Sequence, residues 1–303
     1  MTAAADSLDE VQPGEFATDE TAIPHEHDPL HGAEVSMITA GGRSLRVARW
    51  KAARDEGHLP LLFFNGIGAN IELVAPFARH FVNRDFIIYD MPGIGGSPDP
   101  VLPYTAVTMS MVAADLMTQL GYDRMDVMGV SWGGAMAQHF AMQHPGRVRR
   151  VILAATSAGW FMVPGKISAL SKMANPRRYI DPDFMAKNFA TLYGGDLTGA
   201  KGHVSRVKPP SGTGYFYQLL AFMGWTSAPF LPFLMKAETL IMMGEEDNIV
   251  PIANGKILKS LIPGAELEVI PAGGHLFLVS HAEETLAMIN RFLDRPGEGK
   301  RAA

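Results

Sequence analysis

The chain has 303 residues, 47% of them hydrophobic: enough for one large core with an insertion, too few for several independent domains. A net charge of −5 at pH 7 excludes the basic character of a nucleic-acid binder. The lack of cysteine excludes disulfides, thiolate metal sites and cysteine nucleophiles, and it suits a cytoplasmic location.

Residues 1–33 are polar, acidic and without periodicity, and read as a flexible tail. The start, Met1-Thr2-Ala3-Ala4-Ala5-Asp6, lacks the basic residues and apolar run of a secretory signal. No later stretch is long and apolar enough to span a bilayer. His25, Glu26, His27, Asp28 and His31 carry metal-binding chemistry, but ligands on an unanchored segment bind weakly, so no metal site is expected there.

Strands are expected at 34–39 and 44–50, around the turn Gly41-Gly42. Short, mostly apolar runs follow at 61–64, 86–89, 126–130, 151–154, 239–243 and 267–270, as buried parallel strands should read. Helical spacing marks 72–81, 107–120 and 132–143, the last ending before Pro145. Ser280 and Glu283 form a capping-box pattern ahead of a helix at 285–293. Strands alternating with helices predict a mostly parallel sheet flanked by helices. Residues 156–236 break the alternation with glycine, proline, methionine and aromatics. They are expected to form a lid inserted into a core of 34–155 and 237–297, with 298–303 as a second tail.

Gly129-Val130-Ser131-Trp132-Gly133 is a G-x-S-x-G pattern directly after a strand and before a helix. The turn is tight, so glycines flank the serine and let its hydroxyl stand clear of the sheet. A serine hydroxyl needs a base, and the base needs an orienting carboxylate. In the fold to which such a turn belongs, the acid and then the histidine follow the serine. Three of the ten histidines lie beyond Ser131 and the helix after it. His203 falls in the lid and His281 in the first turn of the last helix. His275 follows a strand and Gly273-Gly274, and is the expected base. Asp247 follows the strand 239–243 and is the expected acid, with Glu245 and Glu246 as substitutes in the same loop.

Two backbone N–H groups should face the developing oxyanion. Trp132 is assigned one, and Ile67, in the loop Asn65-Gly66-Ile67-Gly68 after the strand 61–64, the other. Gly93-Ile94-Gly95-Gly96 lacks the full phosphate-binding pattern. It is read as a structural turn, with Asp90 stabilising it.

These residues resemble the α/β-hydrolase superfamily over about 34–297. Within it the chain resembles the intracellular medium-chain-length poly(3-hydroxyalkanoate) depolymerases of bacteria. The likeness rests on runs such as Phe64-Asn65-Gly66-Ile67-Gly68-Ala69-Asn70, Met162-Val163-Pro164-Gly165-Lys166, Pro176-Arg177-Arg178-Tyr179, Tyr193-Gly194-Gly195, Gly224-Trp225-Thr226-Ser227 and Gly274-His275-Leu276-Phe277-Leu278. Several lie in the lid, where hydrolases of different specificity differ. The resemblance implies ester hydrolysis of a stored aliphatic polyester, with Ser131, Asp247 and His275 as the triad and no metal or organic cofactor. It also implies work at the surface of polymer granules in the cytoplasm. Asn65 and the lid residues Trp160, Met162, Phe222 and Trp225 are expected to touch substrate. The alternatives are a generic carboxylesterase or lipase on small acyl esters, hydrolysis of a thioester or carbon–carbon bond on the same triad, and a non-catalytic granule-binding protein.

Overall fold

The computed structural model describes residues 28–296 except 55, 161, 176, 200, 201 and 203–205. The expectations for residues 1–27, His203 and the tail 298–303 lie outside the described residues. The strands, in chain order, are β1 (Ala33–Ala40), β2 (Arg43–Trp50), β3 (Leu61–Phe64), β4 (Phe86–Tyr89), β5 (Met125–Val130), β6 (Val148–Ala154), β7 (Glu238–Gly244) and β8 (Glu266–Ile270). They form one sheet in the order β1-β2-β4-β3-β5-β6-β7-β8. β1 and β2 pair antiparallel, as do β2 and β4, and the remaining pairs are parallel.

The short apolar runs become central strands because both sheet faces are covered. Side chains alternate between two buried layers. Leu62, Phe64, Ile87, Val127, Leu153 and Ile241 enter one layer. Leu61, Phe63, Ile88, Met128, Ile152 and Met242 enter the other. Helices α2 (Ala106–Gln119) and α3 (Trp132–Gln143) cover the first face, and α11 (Ala282–Leu293) covers the second.

Two helix readings are corrected. The helix expected at 72–81 is a 3-10 turn, Ile71–Leu73, followed by the short α1, Ala75–Ala78. Pro76 lacks an N–H and its ring clashes with a preceding turn, so it starts a new helix. The capping box at Ser280 does not form. Phe277–Ser280 is a separate helical turn, α10; His281 caps α11, and Ser280 Oγ lies 2.9 Å from His281 Nδ1. Ser280 is the last residue of that helical turn, so it does not stand in the extended conformation of a cap, and His281 at the N-cap makes no side-chain bond to the helix. The N-terminal tail also ends earlier than residue 33. Asp28 Oδ1 accepts from Leu30 N–H at 3.0 Å, and Leu30 is buried in the second core layer.

The chain between β6 and β7 contains α4 (Ile167–Met173), α5 (Arg177–Ile180), α6 (Pro182–Tyr193), α7 (Gly212–Ala221) and α8 (Leu231–Leu234). The connection to β8 contains α9 (Ile252–Leu261). No helix among the described residues is long and apolar enough to cross a membrane. After β3 the chain moves out to β4 and returns to β5 on the other side of β3. Loops leaving the carboxyl ends of such neighbours diverge and open a crevice. That crevice receives the 65–70 loop from β3 and Ser131 from β5.

Candidate active site

Ser131 joins β5 to α3 with φ 56° and ψ −119°. For a residue with a Cβ this conformation costs about 1–3 kcal/mol and persists only where its surroundings impose it. Ser131 N–H donates to Ala154 O at 2.9 Å, and Ser131 O accepts from Gly134 N–H at 2.9 Å and from Thr156 Oγ1 at 2.8 Å. A Cβ at Gly129 would lie 2.1 Å from Gly133 O, and one at Gly133 would lie 2.0 Å from Phe64 O. Both glycines are therefore required for α3 to start against the end of β3.

His275 Nδ1 lies 2.7 Å from Asp247 Oδ2, and both residues are buried. The other oxygen, Oδ1, accepts from the N–H groups of Ile249 (2.8 Å) and Val250 (2.9 Å). A carboxylate only accepts, so in the neutral imidazole the hydrogen sits on Nδ1 and Nε2 is the acceptor. Asp247, rather than Glu245 or Glu246, makes this contact; Glu245 reaches Ala272 N–H instead. The loop bearing His275 is fixed by backbone against backbone. His275 N–H donates to Tyr193 O at 2.8 Å, and the Tyr193 ring stacks on the imidazole with centroids 6.4 Å apart. A Cβ at Gly274 would lie 2.0 Å from Gly194 O. The Tyr193-Gly194-Gly195 and Gly273-Gly274-His275 segments are thus two halves of one contact.

The 65–70 loop is organised from within and from the lid. Asn65 Oδ1 accepts from Gly66 N–H at 2.9 Å, and Asn65 Nδ2 donates to Asn70 O at 3.0 Å. Gly68 N–H donates to Gln218 Oε1 at 2.8 Å, and Gln218 O accepts from the Trp132 indole at 3.0 Å. Gln218, on α7 and fully buried, therefore bridges the two segments assigned the oxyanion donors. Trp132 opens α3, where helix geometry leaves the first N–H groups without an intrahelical acceptor.

Asn70 donates to Glu72 Oε2 (2.7 Å) and Arg206 O (3.2 Å), and accepts from Lys208 N–H (3.1 Å). Glu72 pairs with Arg46 at 3.0 Å and with Lys208. Burial opposes the charge of Glu72, but Lys208 and Asn70, then Arg46, outweigh it and hold the carboxyl down to about 2. Asp90 accepts from Ile71 N–H (2.8 Å) and Gly96 N–H (2.9 Å) and meets Arg46 at 3.2 Å. It braces the glycine turn, as the sequence suggests. Burial nevertheless pushes it up to about 6, against those N–H groups and the nearby guanidinium.

Ser131 and His275 border a cavity of about 150 Å3 together with Asn65, Gly66, Ile67 and Gly68. Its apolar wall includes Leu73, Val74, Phe77, Met173, Met185 and Val207. Of the residues expected to touch substrate, Asn65 lies on this wall. The other four do not border it: Trp160 is 70% exposed, Met162 is half-buried, and Phe222 sits edge-on to both Trp132 and Trp225 with centroids 4.8 Å apart. The Trp225 indole donates to His139 Nδ1 at 3.2 Å, and burial lowers the pKa of that imidazole. Aromatic content picks out the lid without showing which side chains point inward. The methionines 173 and 185 carry no signal beyond membership of the lid; Arg178, which also borders the cavity, stands in one of the runs on which the resemblance rests.

A family profile described as the alpha/beta hydrolase fold matches residues 60–194. Over 241 residues the chain is 42% identical to the poly(3-hydroxyalkanoate) depolymerase of Ectopseudomonas oleovorans, covering 78% of this chain and 84% of that protein. It is 27% identical over 272 residues to the 2-hydroxymuconate semialdehyde hydrolase of Pseudomonas putida, covering 83% and 94%. Among solved structures, the esterase EaEST of Exiguobacterium antarcticum superposes with a TM-score of 0.73 at 21% identity, covering 86% of this chain and 99% of that one. That last likeness concerns the fold alone.

Proposed function

Since the chain belongs to the α/β-hydrolase superfamily, in the family of the poly(3-hydroxyalkanoate) depolymerases, and is an ester hydrolase, we propose that it cleaves poly(3-hydroxyalkanoate) through an acyl-enzyme on Ser131. The observation that supports this most is the shared cavity. Ser131 and His275 border it beside the 65–68 loop, with Asp247 on the far nitrogen of the imidazole.

In this mechanism the ester carbonyl lies between Ser131 Oγ and the N–H groups of Ile67 and Trp132. His275 Nε2 takes the serine proton as Oγ adds to the carbonyl, and Asp247 stabilises the imidazolium. The acyl–oxygen bond breaks, the departing alcohol takes the proton from His275, and the acyl-enzyme remains. Water, deprotonated by His275, then adds to the acyl carbon and releases the acid and Ser131.

The apolar wall supports a preference for medium-length pendant chains. Each buried methylene contributes about 0.8 kcal/mol, so four more methylenes give roughly 3 kcal/mol, or ~10²-fold in kcat/KM. Phe216 (56% exposed), Leu219 (47%) and Met223 (69%) stand at helical spacing along and just past α7. An apolar face of this kind on the lid suits contact with a polymer surface in the cytoplasm.

The test is acid release from amorphous medium-chain polyester particles by wild type and Ser131→Ala. Release that disappears in the variant is expected. If neither protein releases acid, yet wild type cleaves p-nitrophenyl octanoate in a Ser131-dependent way, the protein acts on small esters.

A further inference from the structure

We propose that Phe77 floors a blind pocket for the alkyl side chain of the acyl unit, and so sets the longest chain that the protein cleaves well. This rests on the proposed function of the site and names the residue that limits its substrate range. The cavity beside Ser131 is walled by two different parts of the molecule. Met173 and Met185, on α4 and α6, belong to the lid, and Met185 packs in the first core layer. Phe63, Val74 and Phe277 also border the cavity, yet they are buried in the second layer, on the other face of the sheet. Val130 and Phe77 border it too and pack against that second layer. The cavity therefore extends from the lid, past the nucleophile, into the space between the second sheet face and the short helices α1 and α10.

Strand register gives the depth of this inner arm. β3 and β5 run parallel, with Phe63 opposite Met128. Ser131 lies three residues beyond Met128, so Phe63 stands about 10 Å back from it along the strand direction. Phe77 meets Phe63 with ring centroids 6.0 Å apart. It also meets Phe81 at 5.1 Å and Phe86 at 6.3 Å. Those two rings are buried and do not border the cavity. The Phe77 ring is thus a partition, with the cavity on one side and closed core on the other.

A poly(3-hydroxyalkanoate) chain branches at the third carbon of each unit. One branch, through the ester oxygen, continues the polymer; the other, the alkyl side chain, ends in a methyl group. A pocket closed at its floor admits only the branch that ends. With the side chain of the acyl unit against Phe77, the polymer strand leaves on the lid side, past the methionines. Phe63, Val74, Phe77 and Phe277 have no polar side-chain atom. Each methylene that enters this arm therefore gains about fourfold in kcat/KM until the chain meets the floor. Beyond that length the terminal methyl needs space that Phe81 and Phe86 fill, and the gain stops.

The experiment measures kcat/KM on p-nitrophenyl esters from butanoate to hexadecanoate. Wild type is expected to rise with length and then level off. Phe77→Leu should carry the rise to longer esters and increase the dodecanoate-to-octanoate ratio about fourfold or more, one methylene's worth. Met173→Ala, on the lid side, should leave the length at which the rise ends in place, whatever it does to the rate. A ratio unchanged in Phe77→Leu, or a limit that moves with Met173 instead, overturns the proposal. If Phe77→Leu does not fold, Val74→Leu narrows the same arm and should move the limit to shorter esters; an unmoved limit then counts against the proposal.

Acid release is also compared on polyester particles with pentyl and with nonyl side chains. A nonyl-to-pentyl ratio that rises in Phe77→Leu assigns the pocket to the side chain of the polymer. An equal ratio in both proteins overturns that assignment. A wild type that releases acid from neither particle refutes the polyester function, while the dissolved esters still decide whether Phe77 is the floor.

Discussion

At the scale of single residues, the contacts separate side chains that do chemistry from those that aim it. Asp247 gives one oxygen to two backbone N–H groups and the other to His275. In Asp247→Asn one of these acceptors becomes an NH2 group and the imidazole tautomer is no longer fixed. We expect kcat to fall about 10³–10⁴-fold with KM little changed, measured on p-nitrophenyl octanoate. Gln218→Leu should act more gently, lowering kcat ~10-fold or more through the loss of one bond to the 65–70 loop. A matching rise in KM at constant kcat would show that Gln218 serves substrate binding instead. The sequence made the first residue readable and the second not. Asp247 follows a strand end in a fold with a fixed chain order, which leaves few acids to choose from. Nothing in a lid helix tells that its one glutamine faces the N–H of Gly68, 150 positions earlier.

At the scale of elements, all eight strands could be read in advance because each is a short apolar or alternating run bounded by turn residues. The lid helices could not, because two are only four residues long and the lid's apolar residues face outward as well as inward. The lid is held down by apolar packing of Met185, Phe189, Leu192 and Leu231 in the first core layer and by a polar clamp. Asn70 is fully buried and bonded to Glu72, Arg206 and Lys208. Asn70→Ala should cost about 2–3 kcal/mol of stability in denaturant unfolding; a loss below ~0.5 kcal/mol would mean that the lid does not depend on this clamp.

The same network predicts a pH dependence. Asp90 is raised to about 6, so its contribution is present in acid and lost as pH rises from about 4 through 6, on the order of 3 kcal/mol. Glu72 is lowered to about 2, so its contribution is present above about 4.5 and lost as pH falls towards 2. Partial burial lowers the imidazoles of the half-buried His139 and His144, and their contribution is lost as pH falls below the usual histidine range. Comparing Asp90→Asn with wild type isolates the first effect. The variant should lack the decline between pH 4 and 6, whatever its absolute stability, and identical slopes in both proteins would refute the assignment.

At the scale of the whole molecule, a net charge of −5 coexists with an apolar lid surface at Phe216, Leu219 and Met223. Replacing all three with serine should reduce activity on polyester particles far more than activity on a dissolved ester, read as the ratio of the two rates. An unchanged ratio would remove the lid face from any role in adsorption. The lid is also hung from the loop beneath it, through Gln218 on Gly68 and through Asn70 on residues 206–208. Lid position and loop order therefore draw on a common free energy, and whatever steadies one steadies the other by the same amount. On the proposed function, a particle pressed against the outside of the lid would act in this way as an effector of the chemistry below. A dissolved ester, which would not touch that outer face, would meet the 65–70 loop without that added steadiness.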